Sequence, residues 1–342
     1  MRITISFDDV LLKPKFSSIM SRKDIDITSC LDDSIKLEVP IISAPMDTVT
    51  EDQTCSAMAN LGGLGIIHRY NSIQKQCELV KLALHENKNK LVGASVGVSG
   101  DFIERAQALV TAGARVICID IAHGHHALMR YALQALRNTL GHSVHIMAGN
   151  VATREGYEDL VEWGASSVKV GIGGGSICST RIQTGHGVPT LQSVLDCAQS
   201  EKDIPIIADG GIRNSGDIVK ALAAGADFVM LGSLLAGSEE SPGKIIHNDD
   251  GKRYKIYRGM ASKEAQIDWR GHTASIEGVS SRVRYRGPIK PIIEELVTGI
   301  RSGLSYSGVE NISLLQATAV LQRQTHASSV ESSTHINLKK GG

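Results

Sequence analysis

Three things are missing from this chain of 342 residues, and each absence removes a class of protein. Its six cysteines come without paired short spacings, which argues against a disulfide framework and a zinc site and fits a reducing compartment. No stretch reaches the ~18 apolar residues that a membrane helix needs, and residues 1–9 turn acidic before any signal-like apolar region develops. Excess charge of one sign is also absent. The 36 Lys and Arg balance 36 Asp and Glu along the chain, leaving no basic stripe for nucleic acid. The expectation is a soluble, cytoplasmic protein with neither a nucleic-acid nor a membrane partner.

What the chain does have is a repeating alternation. Short β-branched runs at 39–43, 64–67, 91–96, 115–120, 143–147, 167–170, 204–208 and 228–231 read as eight strands. Amphipathic stretches between them, such as 102–112, 154–163, 190–199 and 215–224, each close on a glycine or a polar turn and read as helices. Eight strand-plus-helix units predict an α/β fold of the (β/α)₈ TIM-barrel type. No GxGxxG opens the first unit, as a doubly wound sheet would have it. One catalytic barrel is expected over 1–325, with a mobile flap after strand eight and amphipathic helices at 288–302 and 309–323. The polar tail 326–342 is expected to be disordered.

In such a barrel the chemistry belongs at the carboxyl ends of the strands. Those ends are rich in polar residues and glycine: Ser43 to Asp47, His68-Arg69, Asp120 with His123-Gly124-His125, Gly149-Asn150, Asp209-Gly210-Gly211 and Gly232-Ser233. The two glycine sites after strands seven and eight suit a phosphate held by backbone N–H groups. The densest is Gly171-Ile172-Gly173-Gly174-Gly175-Ser176-Ile177-Cys178-Ser179-Thr180-Arg181, where glycine lets a ligand approach the backbone. Cys55, Cys77, Cys118 and Cys197 lie in apolar or helical surroundings and read as small core residues. Cys178, among Gly, Ser and Thr with Arg181 nearby, reads as a nucleophile.

With these residues assembled, the chain resembles the IMP dehydrogenase/GMP reductase family over essentially its whole length. The cysteine loop carries the resemblance together with Phe7-Asp8-Asp9-Val10-Leu11-Leu12, Pro45-Met46-Asp47-Thr48-Val49, Gly62 to Arg69, Ala148-Gly149-Asn150-Val151, Asp209-Gly210-Gly211-Ile212-Arg213, Met230 to Gly237 and Tyr257-Arg258-Gly259-Met260. The resemblance implies that Cys178 attacks C2 of a purine nucleoside monophosphate to give a covalent thioimidate, with hydride passing between purine and nicotinamide cofactor. It assigns Ser43, Met46, Ser176, Asp209, Gly211, Gly232, Ser233, Tyr257, Gly259 and Met260 to the nucleotide, and Asp120, Ala122 and Asn150 to the cofactor. The carbonyls of Gly173, Gly175 and Cys178 match the family's potassium site, and Gly174 stands where proline is more common. A homotetramer is implied as well.

Two directions of chemistry share that thioimidate. The dehydrogenase oxidises IMP with NAD and resolves the intermediate with water activated by an Arg-Tyr pair on a long flap. The reductase deaminates GMP and uses NADPH. Ala44-Pro45-Met46-Asp47 and Asp209 to Asp217 lean toward the dehydrogenase. The flap, 261–276, is short and holds no Arg-Tyr pair, and Met260-Ala261-Ser262-Lys263-Glu264-Ala265 resembles the reductase. Residues 71–90 leave no room for the CBS domains that dehydrogenases generally insert. The balance favours GMP reductase, with Thr180 and Glu277 relaying a proton to the leaving amine. IMP dehydrogenase is the alternative, and a catalytically silent nucleotide-binding protein the third reading. Trp269 is expected to pack the flap rather than stack on a ligand.

Overall fold

The computed structural model describes residues 2–332. Eight parallel strands close into a barrel: β1 Ile41–Ser43, β2 Leu64–Ile67, β3 Gly93–Val96, β4 Val116–Asp120, β5 His145–Val151, β6 Ser167–Val170, β7 Ile206–Asp209 and β8 Phe228–Leu231. The ring closes where Val229 and Leu231 of β8 pair with Ile41 and Ser43 of β1. These are the eight strands expected from the sequence, and helices such as Phe102–Ala112 and Ser215–Ala223 follow the expected amphipathic stretches.

Side-chain alternation explains why the strands are apolar on both faces. Ile41, Ile117, Ile119, Val168, Val170, Ala208 and Val229 point outward and pack under the helices. Ile42, Leu64, Ile66, Val116, Cys118, Met147, Ile207, Phe228 and Met230 point inward and form a separate core. The antiparallel pair Ser29–Asp32 and Ile35–Leu37 plugs the amino end of the barrel with Leu31, Ile35 and Leu37. There His145 lies between Asp32 Oδ2, 2.7 Å from Nδ1, and Ser167 Oγ, 2.8 Å from Nε2. The opposite end is left open for chemistry.

Some details differ from the sequence reading. Residues 309–323 do not form one helix: Ile312–Thr318 is helical, and Leu321–Arg323 then pairs antiparallel with Val10–Leu12. Ala319 leaves the helix at φ −62°, ψ 145°, and the extended chain satisfies the otherwise unpaired edge of the N-terminal strand. The helix expected at 288–302 continues to Tyr306. Of the tail expected to be disordered, His326–Glu331 is a short helix capped by Thr325, and 333–342 lie outside the described residues. An unexpected three-stranded sheet, Ile246–His247, Arg253–Arg258 and Ser280–Arg284, carries the flap. Among the described residues no helix is long and apolar enough to cross a membrane.

Candidate active site

The glycine loop leaves β6 and carries Cys178 to the open end of the barrel. Cys178 Sγ donates to Thr180 Oγ1 at 3.1 Å, and Thr180 Oγ1 donates to Glu277 Oε2 at 2.9 Å. Glu277 is held from two further directions: its carbonyl accepts from Ser179 N and its Oε1 from Ser275 Oγ. A main-chain bridge joins Cys178 to Gly278, and Val279 N donates to Ile177 O. The cysteine loop and the end of the flap are therefore one backbone-bonded unit. Gly259 lets the two segments approach closely, since a Cβ on it would lie 3.3 Å from the Gly278 Cα. Arg181, expected beside the thiol, instead donates to Val188 O, and its stem crosses Gly173 and Gly187.

Beside this loop lies a cavity of about 250 Å³ lined by Gly174, Ser176, Gly211, Ser233, Arg181 and Arg213, among others. Its outer wall is the N-terminal segment Ser6–Asp8. Arg213 grips Asp8 with two hydrogen bonds, at 2.6 and 3.0 Å, and Lys220 reaches Phe7 O. Sequence reasoning gave no role to Arg213 or to this wall, because the contact spans some two hundred positions. Gly210 and Gly211 have φ of +93° and +79°, which a side chain would strain, and they bend the chain under the cavity. At Gly174 a Cβ would lie 2.4 Å from Thr190 Oγ1, so Thr190 occupies the room a proline ring would need.

The nucleotide residues implied by the resemblance fall around the same opening, with one exception. Ser176 is exposed, and Tyr257 is buried with its hydroxyl against Gly232 and Met46. Burial pushes the Tyr257 hydroxyl up to about 12, a hydrogen bond with Ser176 opposing. Met260 takes the Asp47 N–H on its sulfur, and its carbonyl accepts from Tyr70. Ser43 is the exception. It is fully buried and its hydroxyl accepts from Thr50, so it braces the turn beneath the site and does not face it.

Of the residues that the resemblance assigns to the cofactor, Asp120 ends β4 and Ala122 is exposed on the loop that follows. Asn150 donates to Gly171 O and to Asp209 Oδ2, while its Oδ1 is buried without a partner. An orphaned buried acceptor fits a ligand that brings an amide donor, as nicotinamide does. Lys169 of β6, which the sequence reading passed over, joins Asp120 at 2.6 Å and Asp209 at 3.2 Å. Its signal was a lone charge on an inward position of an apolar strand. Cys178 N–H closes a turn on Gly175 O at 3.1 Å, bringing together two of the three residues assigned to a potassium ion. These are main-chain oxygens, suited to a hard cation, and among the described residues no cluster of His, Cys, Asp or Glu could cage a metal.

The flap packs against the barrel through side-chain contacts. Its helix Lys263–Arg270 is tied by Arg258, which donates to both Asp47 and Asp268. Trp269 stacks on Tyr70 with ring centroids 4.1 Å apart, so it packs the flap as expected. Arg270 donates to Gln266 Oε1 and His272 O.

The family description "IMP dehydrogenase / GMP reductase domain" matches residues 4–335. An inosine-5'-monophosphate dehydrogenase of Nitrosopumilus maritimus is 35% identical, across 97% of this chain and 98% of its own length. A GMP reductase of Leishmania major is 34% identical, across 97% and 96%. Both alignments, 469 and 475 positions, are longer than the chain, so both relatives carry insertions absent here. A missing insertion therefore does not separate the two branches. A crystal structure of a GMP reductase from Trypanosoma brucei with a Cys-to-Ala substitution, in complex with guanosine 5'-monophosphate, superposes with a TM-score of 0.92 at 32% identity, covering 98% of each chain. With its barrel, its cysteine loop and these relatives on both branches, the chain belongs to the IMP dehydrogenase/GMP reductase family of purine nucleotide oxidoreductases.

Proposed function

We propose that the protein is a GMP reductase, converting GMP to IMP and ammonia with NADPH. The observation that carries this reading is the unbroken hydrogen-bond chain Cys178 Sγ, Thr180 Oγ1, Glu277 Oε2 beside a flap that offers no Arg-Tyr pair. The thiol proton passes through Thr180 to the Glu277 carboxylate, and the sulfur attacks C2 of GMP. The same proton returns along the chain to the departing amine, so the C–N bond breaks, ammonia leaves and a thioimidate remains. NADPH supplies the hydride that reduces C2. The C–S bond then breaks, and Cys178 takes one proton from solvent as IMP departs.

The supporting groups are assigned as the resemblance implies. Ser176, Gly211 and Ser233 line the cavity for the phosphate with Arg213 at its rim. Asp209, Gly232, Tyr257, Gly259, Met46 and Met260 take the nucleotide, and Asp120, Ala122 and Asn150 the cofactor. The carbonyls of Gly173, Gly175 and Cys178 would hold a potassium ion, and the working form is a homotetramer, to which the exposed Phe16 and Met20 are suited. The alternative, IMP oxidation with NAD, needs activated water. The flap's nearest candidate, Arg270, is spent on Gln266 and His272.

The test is reduced-nicotinamide absorbance with purified protein, once with GMP and NADPH and once with IMP, NAD and potassium. Consumption in the first alone supports the reductase, and formation in the second alone overturns it. Cys178→Ala should lower turnover by a factor of about 10⁴ or more while GMP still binds by calorimetry. Unchanged turnover refutes the nucleophile.

A further inference from the structure

Lys169 takes no part in the chemistry above, yet its side chain is only 2% exposed at the heart of the barrel. It faces inward because Val168 and Val170 on either side face the helices. Gly149 of β5 makes room for it: a Cβ there would lie 2.6 Å from the Lys169 Cβ. Nζ reaches Asp120 Oδ1 at 2.6 Å and Asp209 Oδ2 at 3.2 Å, with Met230 sulfur at 3.7 Å. Asn150 donates to the same Asp209 oxygen at 2.9 Å. Strands β4, β5, β6 and β7 thus each contribute one member.

A lone buried ammonium is strongly disfavoured, and here two carboxylates compensate one cation. Burial works against the Lys169 charge, but Asp120 and Asp209 more than offset it and hold its pKa above the usual lysine range. Among the described residues Asp120 Oδ2 and Asp209 Oδ1 take no hydrogen bond, and both carboxyl groups are partly exposed, at 25% and 21%. Each carboxylate therefore spends one oxygen on the lysine and keeps the other for the opening. A carboxylate with a free oxygen is an acceptor for sugar hydroxyls.

We propose that Lys169 is a positioning residue for both substrates at once: one ammonium fixes Asp209 on the nucleotide side and Asp120 on the cofactor side, each with its second oxygen left as a hydroxyl acceptor. This rests on the nucleotide and cofactor sides given above. Without the ammonium, two carboxylates would share a poorly solvated site, and one would hold a proton into the neutral range. The other titratable groups facing this cluster are Cys118 on β4 and, within its field, Tyr257 and Tyr70. Burial pushes Cys118 and Tyr257 each up to about 12 and raises Tyr70 as well. None of them ionises between pH 5 and 9, so a new ionisation there belongs to the carboxylates.

The experiment uses the full chain with Lys169→Met, which keeps the length and removes the charge, and with Lys169→Met combined with Asp120→Asn. Folding is followed by circular dichroism, GMP binding by calorimetry, and initial rates against each substrate between pH 5 and 9. In Lys169→Met the GMP Kd and the NADPH KM should each rise about tenfold, kcat should change less, and the acid limb of kcat/KM should move up by about one pH unit or more. The double variant should regain most of the GMP affinity while the cofactor KM stays high. It also decides the matter if the single variant does not fold. A folded Lys169→Met protein with the wild-type pH profile, or a double variant that binds GMP no better than the single one, overturns the proposal. Wild-type protein that oxidises IMP instead overturns the reductase reading only, since IMP then replaces GMP as the probe. Wild-type protein that binds neither nucleotide overturns both.

Discussion

Ser167 and Lys169 lie two residues apart on β6, both facing the barrel axis, and each belongs to a polar network buried in the same cylinder. At the closed end, Ser167 meets His145 and Asp32 under a plug of apolar side chains. At the open end, Lys169 meets Asp120 and Asp209, and Asn150 Oδ1 is left without a partner. Both ring nitrogens of His145 are engaged, so the closed end has nothing to offer a ligand. The open end keeps acceptors in reserve. A barrel strand can thus serve stability at one end and chemistry at the other through residues a single pleat apart.

The contrast is broken most severely at the open end. Glu277→Gln removes the terminal proton acceptor of the proposed relay and should slow the proposed ammonia release by a factor of about 10²–10⁴. GMP affinity and unfolding midpoint should be unchanged. A comparable loss of GMP binding would place Glu277 in recognition and not in proton transfer.

At the closed end the expectation reverses. His145→Ala empties a fully buried site and strands the Ser167 hydroxyl, so it should cost about 2–4 kcal/mol in denaturant unfolding with kcat and both KM values nearly unmoved. A loss of activity in the folded variant would erase the distinction between the two ends. The pH dependence sharpens it. Burial holds His145 below its ordinary value of 6.5, with Asp32 opposing. The unfolded chain then binds a proton that the native state does not, so stability falls as pH drops below 6.5 through the lowered native value. Burial works against the Asp32 carboxylate, but Ser34 and His145 outweigh it and hold its pKa below the ordinary range. Its stabilisation is lost at still lower pH. The decline just below pH 6.5 should flatten in His145→Ala.

The smallest effect is expected at the flap. Trp269→Ala removes the stack on Tyr70, worth about 0.5–1.5 kcal/mol beyond its buried area. Limited proteolysis should then cut within 261–276 faster, while global unfolding barely changes. Unchanged cleavage would mean that the Arg258 to Asp268 contact alone seats the flap.

The strands were legible because most barrel strands are apolar on both faces, and runs such as Phe228–Leu231 announce themselves locally. The Cys178, Thr180 and Glu277 chain was expected from the resemblance, and the coordinates bring the three side chains together. Less legible was anything made by distant pairing. Leu321–Arg323 looks helical by pattern, and only the free edge of Val10–Leu12 makes it a strand. Arg253–Arg258 alternates as a strand should, but its short neighbours gave no comparable signal. Ser43 sits at a strand end like its functional neighbours, and only packing against Thr50 turns its hydroxyl away.

By itself the sequence determined the barrel and marked the glycine-rich cysteine loop and the strand ends as the place proposed for chemistry, because each follows from local periodicity or from residue types within one short segment. Only the tertiary structure decided which charges meet: Arg213 with Asp8, Arg258 with Asp47 and Asp268, Lys169 with Asp120 and Asp209. For Lys169 the physical reason is that a buried ion is tolerated only where its counter-charge arrives in three dimensions, whereas the arginine pairs, with Asp8 and Asp268 exposed, meet only because the fold brings their segments together. Strand closure delivers that counter-charge from segments that are remote along the chain.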